Sequence, residues 1–190
     1  MNDKDTIAPG LTLLPNYISK EEEVDLLKSI NKQSWSTQLS RRVQHYGYRY
    51  DYKNKNPAEK LGDLPEWSEF IVDRIQQTIK GSDPETDTEF NQMIINEYKP
   101  GQGIAAHTDS KMFGPIIVSL SLGSDTVMRF VCKADKTDLV LPRRSLLILQ
   151  DKARYNYTHE IPKRGSDLID GQKKPRGLRV SVTLRTYNTK

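Results

Sequence analysis

The second half of the chain is divided into short β-prone runs, and this pattern restricts the fold more than any other feature. From Phe90 onward, apolar and β-branched runs are separated by Gly, Pro and Asp. Such spacing is typical of antiparallel strands joined by tight turns. The predicted strands are 91–98, 103–108, 115–122, 126–132, 138–141, 145–150, 155–161 and 178–187. We therefore predict a mainly β fold with flanking helices (α+β), in which two sheets form a double-stranded β-helix, or jelly roll.

Two amphipathic helices are predicted before these strands. Ser19 and Glu22 form a capping-box signature, and a helix over residues 20–32 follows them. Its predicted apolar face consists of Val24, Leu27 and Ile30. Pro65 precedes the second helix, which we expect to end just before Gly81. The apolar face of that helix is predicted to consist of Phe70, Ile71, Ile75 and Ile79.

Length and composition favour one intracellular domain. A chain of 190 residues can bury a continuous core, so we predict a single domain over residues 1–190. The single Cys132 excludes an internal disulfide and fits a reducing compartment. No apolar run approaches the ~20 residues of a membrane span, and the first residues lack the features of a signal peptide. We expect a monomer without a membrane partner, in the cytoplasm or alternatively the nucleus.

The charge is moderately basic. The chain has 29 Lys and Arg against 25 Asp and Glu, which gives a net charge of +4 and a pI near 9.0. This balance is compatible with a nucleic-acid partner but does not require one. Basic residues cluster within 162–176, which we predict to be a long flexible loop; they are Lys163, Arg164, Lys173, Lys174 and Arg176. A solvated surface is the alternative interpretation of this cluster.

His107, Asp109 and His159 have the spacing of metal ligands. Side chains two residues apart on a strand point to one face, so His107 and Asp109 can bind one ion together. His159 can complete the set from a neighbouring strand. Two imidazoles and one carboxylate form the facial triad of Fe(II) oxygenases, which leaves positions open for oxygen and a chelating cosubstrate. The alternative is that the two histidines are unrelated core or surface residues.

The last predicted strand carries two arginines on one face. Arg179, Ser181, Thr183 and Arg185 alternate with Val180, Val182 and Leu184. An arginine directed towards a core is costly unless it meets an anion. A dicarboxylate is a suitable partner, because guanidinium binds carboxylate through two parallel hydrogen bonds. Internal pairing with Asp or Glu is the alternative.

Two aromatic patterns also alternate. Tyr46, Tyr48, Tyr50 and Tyr52 would form a one-sided stripe on a strand, suited either to stacking on a base or to packing on the core. Tyr155, Tyr157 and His159 share one parity, and on a strand the two tyrosines would form aromatic walls that limit access of water to the metal.

Two segments resemble a known family. The run NEYKPGQGIAAHTD (96–109) resembles the Asn-x-Tyr, Pro-Gly and His-x-Asp block of the AlkB-type 2-oxoglutarate- and Fe(II)-dependent dioxygenases. The run RGLRVSVTLR (176–185) is similar to the closing block of that family. The resemblance covers roughly residues 11–187. Residues 41–48, 117–130 and 141–149 look most like the tRNA-modifying AlkB homologue, which hydroxylates a modified wobble uridine and normally carries RNA-recognition and methyltransferase modules not found in these residues.

The resemblance implies Fe(II), O2 and 2-oxoglutarate as cosubstrate. It makes His107, Asp109 and His159 both the catalytic residues and the metal ligands. Arg179 would bind the distal carboxylate of 2-oxoglutarate and Arg185 would lie near the proximal end. The other implied cosubstrate residues are Asn96, Tyr98, Ser181 and Thr183. Ser181 stands where the family has Asn, which shortens one hydrogen-bonding arm.

The resemblance also implies a nucleotide-recognition lid within about 11–80, ahead of a jelly-roll core at about 90–187. Its implied substrate-binding residues are Arg41, Arg42, Tyr48 and Tyr50, with Lys111 beside the metal site. A surface role for the two arginines is equally compatible with the sequence. Repair-type members carry an acidic residue where this chain has Lys111, and a lysine can only donate hydrogen bonds. A donor suits the carbonyl-rich edge of uracil, or an anionic substituent, better than an amino group.

The sequence therefore predicts a dioxygenase that oxidises a modified or alkylated nucleobase, with a tRNA wobble uridine as the leading substrate. RNA is favoured, single-stranded DNA is an alternative, and a separate protein could supply further RNA-binding surface. The alternatives are an oxidative demethylase that repairs alkylated DNA or RNA, and a protein or lipid oxygenase of the same superfamily.

Overall fold

A computed structural model describes residues 8–51, 56–82 and 88–188. The helices are α1 (Lys20–Asn31), α2 (Glu69–Ser82), which continues a 3-10 turn at Glu66–Ser68, and α3 (Asp151–Tyr155). The strands are β1 (Leu11–Leu14), β2 (Val43–Tyr46), β3 (Tyr48–Asp51), β4 (Asn56–Lys60), β5 (Gln92–Tyr98), β6 (Ile104–His107), β7 (Phe113–Leu122), β8 (Thr126–Cys132), β9 (Asp135–Leu141), β10 (Leu146–Leu149), β11 (Thr158–Ile161), β12 (Ser166–Ile169), β13 (Gln172–Pro175) and β14 (Arg179–Tyr187).

The strands form two main antiparallel sheets, as the sequence predicts. The larger sheet has the order β1-β10-β7-β14-β5-β2, and the smaller has the order β6-β11-β8-β9. Two hairpins, β3–β4 and β12–β13, complete the strand pairing of the described residues. The predicted jelly-roll fold with flanking helices is confirmed.

The two faces of the larger sheet have different partners. One face packs against α1 and α2 in a continuous apolar core. This core includes Leu26, Ile30, Ile71, Ile75, Val118, Leu120, Val180, Val182 and Leu184. The opposite face and the smaller sheet form a second cluster, which includes Tyr98, Ile117, Phe130, Leu147 and Ile161. The alternating polar residues of β14 therefore lie on the face away from the helices, between the two sheets.

The helix positions are predicted well, but their buried faces are partly wrong. The capping box of Ser19 and Glu22 is present. Val24 is 61% exposed, because the buried face of α1 passes through Glu23 instead. The Glu23 carboxylate accepts hydrogen bonds from the Gly123 N–H at 2.8 Å and from Arg143 Nη2 at 2.6 Å.

In α2, three isoleucines at positions 71, 75 and 79 already form the buried face at intervals of four residues. Phe70 lies one residue, or about 100° of helix rotation, outside that face and is 42% exposed. Gly81 lies within the last turn of α2, which continues to Ser82, so the predicted helix end is wrong.

Two predicted loops and strands also differ. The run 155–161 is a strand only from Thr158, because Asp151–Tyr155 forms α3, and Tyr155 is exposed on that helix. Tyr157, just before β11, packs against the cluster between the sheets. The predicted flexible loop 162–176 contains the β12–β13 hairpin. Within the described ranges, no helix combines the length and apolar character that crossing a bilayer requires.

The predicted tyrosine stripe is interrupted at Gly47. Its φ of +72° ends β2, and a Cβ there would lie 1.8 Å from the Asn91 carbonyl oxygen, so only glycine fits. Tyr46 packs on the helix-side core against Trp67, whereas Tyr48 contacts Tyr187. Tyr52 and the side chain of Tyr50 lie outside the described part of the chain.

Candidate metal and cosubstrate site

His107, Asp109 and His159 converge between the two sheets. His107 ends β6, and β11 places His159 directly opposite it in the antiparallel register. Asp109 follows two residues after His107, beyond the end of the strand. One ligand atom from each of the three residues lies within 4.8 Å of the other two, and His159 Nε2 is 3.6 Å from Asp109 Oδ2.

The protonation states of these groups suit a divalent cation. His107 Nδ1 lies 2.8 Å from the Ala105 carbonyl oxygen, so it carries the proton and leaves Nε2 as the free donor of a lone pair. Burial lowers the pKa of His159 to about 4, which keeps that imidazole neutral at pH 7. Burial alone would raise the pKa of Asp109, but nearby positive charge, that of Arg185 above all, outweighs it, and the pKa is lowered. An ionised Asp109 and a neutral His159 are in the states that bind metal.

The geometry fits one metal ion bound by two nitrogens and one oxygen. Arg185 Nη2 lies 2.7 Å from Asp109 Oδ1, which leaves Oδ2 directed towards His159. This donor set is that of the 2-His-1-carboxylate site of non-haem Fe(II) oxygenases. Arg185 therefore forms an ion pair with an acidic side chain of the protein itself, which was the alternative considered for the two arginines.

Arg154 fixes the turn that carries Asp109, and sequence reasoning missed it. This arginine is 2% exposed, and its Nη1 and Nη2 donate to the carbonyls of Asp109 at 3.0 Å and Ser110 at 2.7 Å. Longer contacts reach Phe113 and Gly114. Arg154 lies in a charged segment between the predicted strands 145–150 and 155–161, and such a segment gives no sign of this role.

Arg179 is a buried cation that meets no acidic side chain in the described part of the chain. It is 3% exposed, its Nη2 donates to Ser121 Oγ at 2.9 Å, and its Cζ lies 5.5 Å from the centroid of the Tyr98 ring. Within the described residues it forms no salt bridge, and its buried Nε has no hydrogen-bond partner. Burial lowers its pKa to about 10, so the group is still charged at pH 7. This orphaned, charged donor fits an anionic ligand such as the carboxylate of 2-oxoglutarate.

The other candidate cosubstrate residues lie on the same face as Arg179. In the register of β14 with β5, Arg179 is opposite Tyr98 and Ser181 is opposite Asn96. Ser121 on β7 is opposite Ser181 on its other side. Thr183 follows on the same face and is buried, as are Asn96, Tyr98 and Ser181. Ser121 was not identified from the sequence, because β7 contains two serines, Ser119 and Ser121, and nothing in their pattern indicates a role.

The structure places the candidate substrate residues in different settings. Arg41 Nε donates to Asn96 Oδ1 at 2.8 Å. Arg42 forms a two-pronged ion pair with Glu97. The Tyr48 ring lies 5.0 Å from that of Tyr187. Lys111 is exposed in the turn after Asp109.

His45 was also missed by sequence reasoning. It faces the same side of the larger sheet as Asn96, because Val43 pairs with Asn96 and His45 follows two residues later. Its buried Nδ1 has no hydrogen-bond partner among the described residues.

Comparison with known proteins agrees with this geometry. Residues 31–185 match the 2OG-Fe(II) oxygenase superfamily. The chain is 37% identical over 180 residues to uncharacterized protein L905 of Acanthamoeba polyphaga mimivirus. This alignment covers 93% of this chain and 84% of that protein. It is 35% identical over 209 residues to the tRNA (carboxymethyluridine(34)-5-O)-methyltransferase ALKBH8 of Macaca fascicularis. That alignment covers 94% of this chain but only 30% of the relative. The structure of OsALKBH1 is similar in fold, with a TM-score of 0.70 and 18% identity over 96% of this chain and 100% of that chain.

The fold and the site define a class of enzyme, the dioxygenases that depend on Fe(II) and 2-oxoglutarate and that consume O2. The chain belongs to the 2OG-Fe(II) oxygenase superfamily. AlkB homologues such as ALKBH8 are among the relatives that it resembles. The oxygenase family, the enzyme class and the cofactors predicted from the sequence are confirmed.

Proposed function

We propose that this dioxygenase hydroxylates a modified wobble uridine in tRNA. Lys111 is the observation that carries the proposal: it lies two residues beyond Asp109, it is exposed, and it can only donate hydrogen bonds. The edge of uracil presents carbonyl acceptors, and a modified uridine can add an anionic group. The exocyclic amino group of adenine or cytosine requires an acceptor, which lysine lacks. The ALKBH8 relative, whose name refers to carboxymethyluridine at position 34, supports the same substrate class.

A row of aromatic rings supports binding of an extruded base beside the metal site. Tyr48 contacts Tyr187, and Tyr187 lies edge-on to Phe113 at 6.2 Å. The Arg185 guanidinium lies 4.5 Å from the Phe113 ring centroid and also holds Asp109. We propose that Tyr48 stacks on the base, at a gain of ~1–3 kcal/mol, with Tyr50 as a second lid contact. An unpaired loop base would be preferred, because a base within a duplex must first be flipped out.

The remaining assignments divide the reaction among the buried groups. Fe(II) held by His107, Asp109 and His159 would supply the oxidising chemistry, coupled to decarboxylation of 2-oxoglutarate to succinate. We assign the distal carboxylate to Arg179. The groups proposed to assist it are Asn96, Tyr98, Ser121, Ser181 and Thr183. Arg185 orients the Asp109 carboxylate. The buried rings of Phe113 and Tyr187 pack together beside Arg185, and we propose that they limit access of water to the metal.

The setting of the reaction is also a proposal. We infer one catalytic domain over residues 1–190 that acts as a monomer in the cytoplasm, or alternatively in the nucleus. The chain spans less than a third of the macaque relative, so a separate protein that supplies RNA-binding surface is part of this proposal.

The decisive assay compares nucleic acids as substrates. Anticodon stem-loops with modified uridines, and single-stranded DNA with methylated adenine or cytosine, are incubated with Fe(II), 2-oxoglutarate and the protein. Mass spectrometry should detect a hydroxylated uridine, with succinate formed in equal amount. Formaldehyde release from the DNA without hydroxylated uridine would instead assign oxidative demethylation.

Two variants test the substrate contacts. Lys111→Asp should shift preference towards methylated adenine or cytosine, because the new carboxylate accepts from an amino group. Lys136→Asp is the control, because it makes the same substitution at an exposed residue of β9. Tyr48→Ala should weaken all nucleic-acid substrates alike. An unchanged preference in Lys111→Asp would remove the main support for uridine.

A further inference from the structure

Arg41 and Arg179 flank one tyrosine ring from opposite sides. The β2–β5 register pairs Val43 with Asn96, and the Glu97 N–H donates to the Arg42 carbonyl, so Arg41 lies opposite Tyr98. Arg179 lies opposite Tyr98 from the other neighbouring strand. The two guanidinium carbons are 5.6 and 5.5 Å from the centroid of that ring. Two cations therefore border the pocket that we assign to the distal carboxylate.

Among the described residues, Arg41 has no acidic partner, in contrast to its neighbour Arg42. Arg42 forms a bidentate pair with Glu97 and stacks on Trp35 at 4.4 Å. Arg41, which is half-buried, forms no salt bridge within the described residues, and its Nε donates to Asn96 Oδ1. The preceding backbone is held in place, because Gln102 Nε2 donates to the Ser40 carbonyl at 2.6 Å.

The bond between Arg41 and Asn96 determines which way the asparagine amide points. An asparagine can present its oxygen or its nitrogen in a given direction, but guanidinium has no acceptor. Arg41 therefore binds Oδ1, and the Nδ2 amino group, the hydrogen-bond donor, must point the other way. Within the described residues Nδ2 has no hydrogen-bond partner, and Asn96 is 6% exposed. A carboxylate is acceptor-only, so this is the orientation in which Asn96 can bind one.

We propose that Arg41 is a positioning residue of the 2-oxoglutarate site, which orients the Asn96 amide as a donor and supports the Tyr98 ring opposite Arg179. The inference rests on the proposed assignment of Asn96, Tyr98 and Arg179 to the cosubstrate. It moves Arg41 from the nucleic-acid contacts expected from the sequence to the cosubstrate pocket. The segment 41–48 then also forms one wall of that pocket, through Arg41.

The role of Arg41 can be tested without turnover by measuring how tightly the Mn(II)-loaded protein binds 2-oxoglutarate. Mn(II) is suitable because the same ligand set accepts it. Isothermal titration calorimetry gives the Kd. Arg41→Met should bind 2-oxoglutarate ~10-fold more weakly, as expected for loss of one oriented donor to a charged group. Arg74→Met is the control and should leave the Kd within about twofold of wild type, since it breaks only a partly exposed ion pair with Glu22 on the helix side of the sheet.

A double-mutant cycle separates positioning from general destabilisation. In an Asn96→Ala background, Arg41→Met should have little further effect on the Kd, because the amide that it orients is absent. Equal reductions in affinity in both backgrounds would overturn the inference, as would a wild-type Kd in Arg41→Met while Arg179→Ala binds weakly. If Arg179→Ala also binds normally, the proposed cosubstrate site itself is wrong, which is a distinct outcome.

Discussion

Replacing Arg154 by Met should loosen the turn that carries Asp109 and so weaken the metal site. The substitution keeps a long side chain in the buried space but removes every hydrogen bond that the guanidinium donates to the turn. Two of the hydrogen bonds that it removes are short, to the Asp109 carbonyl at 3.0 Å and the Ser110 carbonyl at 2.7 Å. The bonds to the Phe113 and Gly114 carbonyls are 3.3 and 3.4 Å and contribute less.

The two short bonds determine the size of the effect. Each hydrogen bond to a charged group contributes ~1.5–3 kcal/mol. Burial lowers the pKa of Arg154, so removing its charge also relieves a desolvation cost that offsets part of this loss. The free energy of unfolding should therefore fall by ~2–4 kcal/mol. Affinity for a divalent metal should fall ~10–100-fold, which is typical when a group that supports a ligand is removed.

Urea denaturation and titration with Co(II) measure these two quantities. Lys152→Met, on the exposed side of the same helix, is the control and should change neither. If Arg154→Met binds Co(II) as tightly as Lys152→Met does, the turn holds Asp109 without help from the guanidinium, and the reasoning is refuted.

Three further changes have defined outcomes. Glu23→Gln should lower the free energy of unfolding by ~2–4 kcal/mol, because its carboxylate is buried. Glu22→Gln affects a partly exposed ion pair with Arg74 and should lower it by ~1 kcal/mol or less. Equal destabilisation of the two variants in urea would contradict this prediction. Arg179→Ala should weaken 2-oxoglutarate binding more than ~100-fold, as expected from a loss of ~3–5 kcal/mol, and Arg179→Lys should rescue it poorly; an unchanged Kd in both would place the anion elsewhere. Burial, together with nearby arginines, lowers the pKa of His45 to about 4. Below pH ~6.5, His45 takes up a proton in the unfolded chain but not in the folded protein. The free energy of unfolding of the metal-free protein should therefore decrease as the pH is lowered from ~6.5 to ~4. We expect a decrease of ~1 kcal/mol, because His45 is partly exposed. His45→Gln should reduce that slope.

Local patterns in the sequence predicted much of the fold and the centre of the site. The alternation of Arg179, Ser181, Thr183 and Arg185 requires only that the segment be a strand, and the structure places all four on one face. The capping box of Ser19 and Glu22 likewise depends on neighbours within three residues. Such features follow from backbone periodicity, which a single sequence contains.

Features that depend on distant partners were missed. Val24 was assigned to the buried face of α1 because it is apolar, but Glu23 is buried there through Arg143, which lies 120 residues further along the chain. Arg154 lies between two predicted strands, yet it forms part of a helix, and its guanidinium binds carbonyls more than 40 residues away. Neither pairing leaves a local pattern, so neither could be predicted from hydrophobicity or spacing.

The position of β14 also bears on how the chain folds during synthesis. β14 is the C-terminal strand of the described residues, but it lies in the middle of the larger sheet, between β7 and β5. A ribosome-bound chain that has not yet released residues 179–187 has no completed sheet, and the inner edges of β5 and β7 remain unpaired. The same strand carries Arg179. A translation product that stops before β14 therefore lacks the strand that joins β5 to β7, and it also lacks Arg179. We expect such a product to be recognised by chaperones and proteases rather than to be a partly active enzyme.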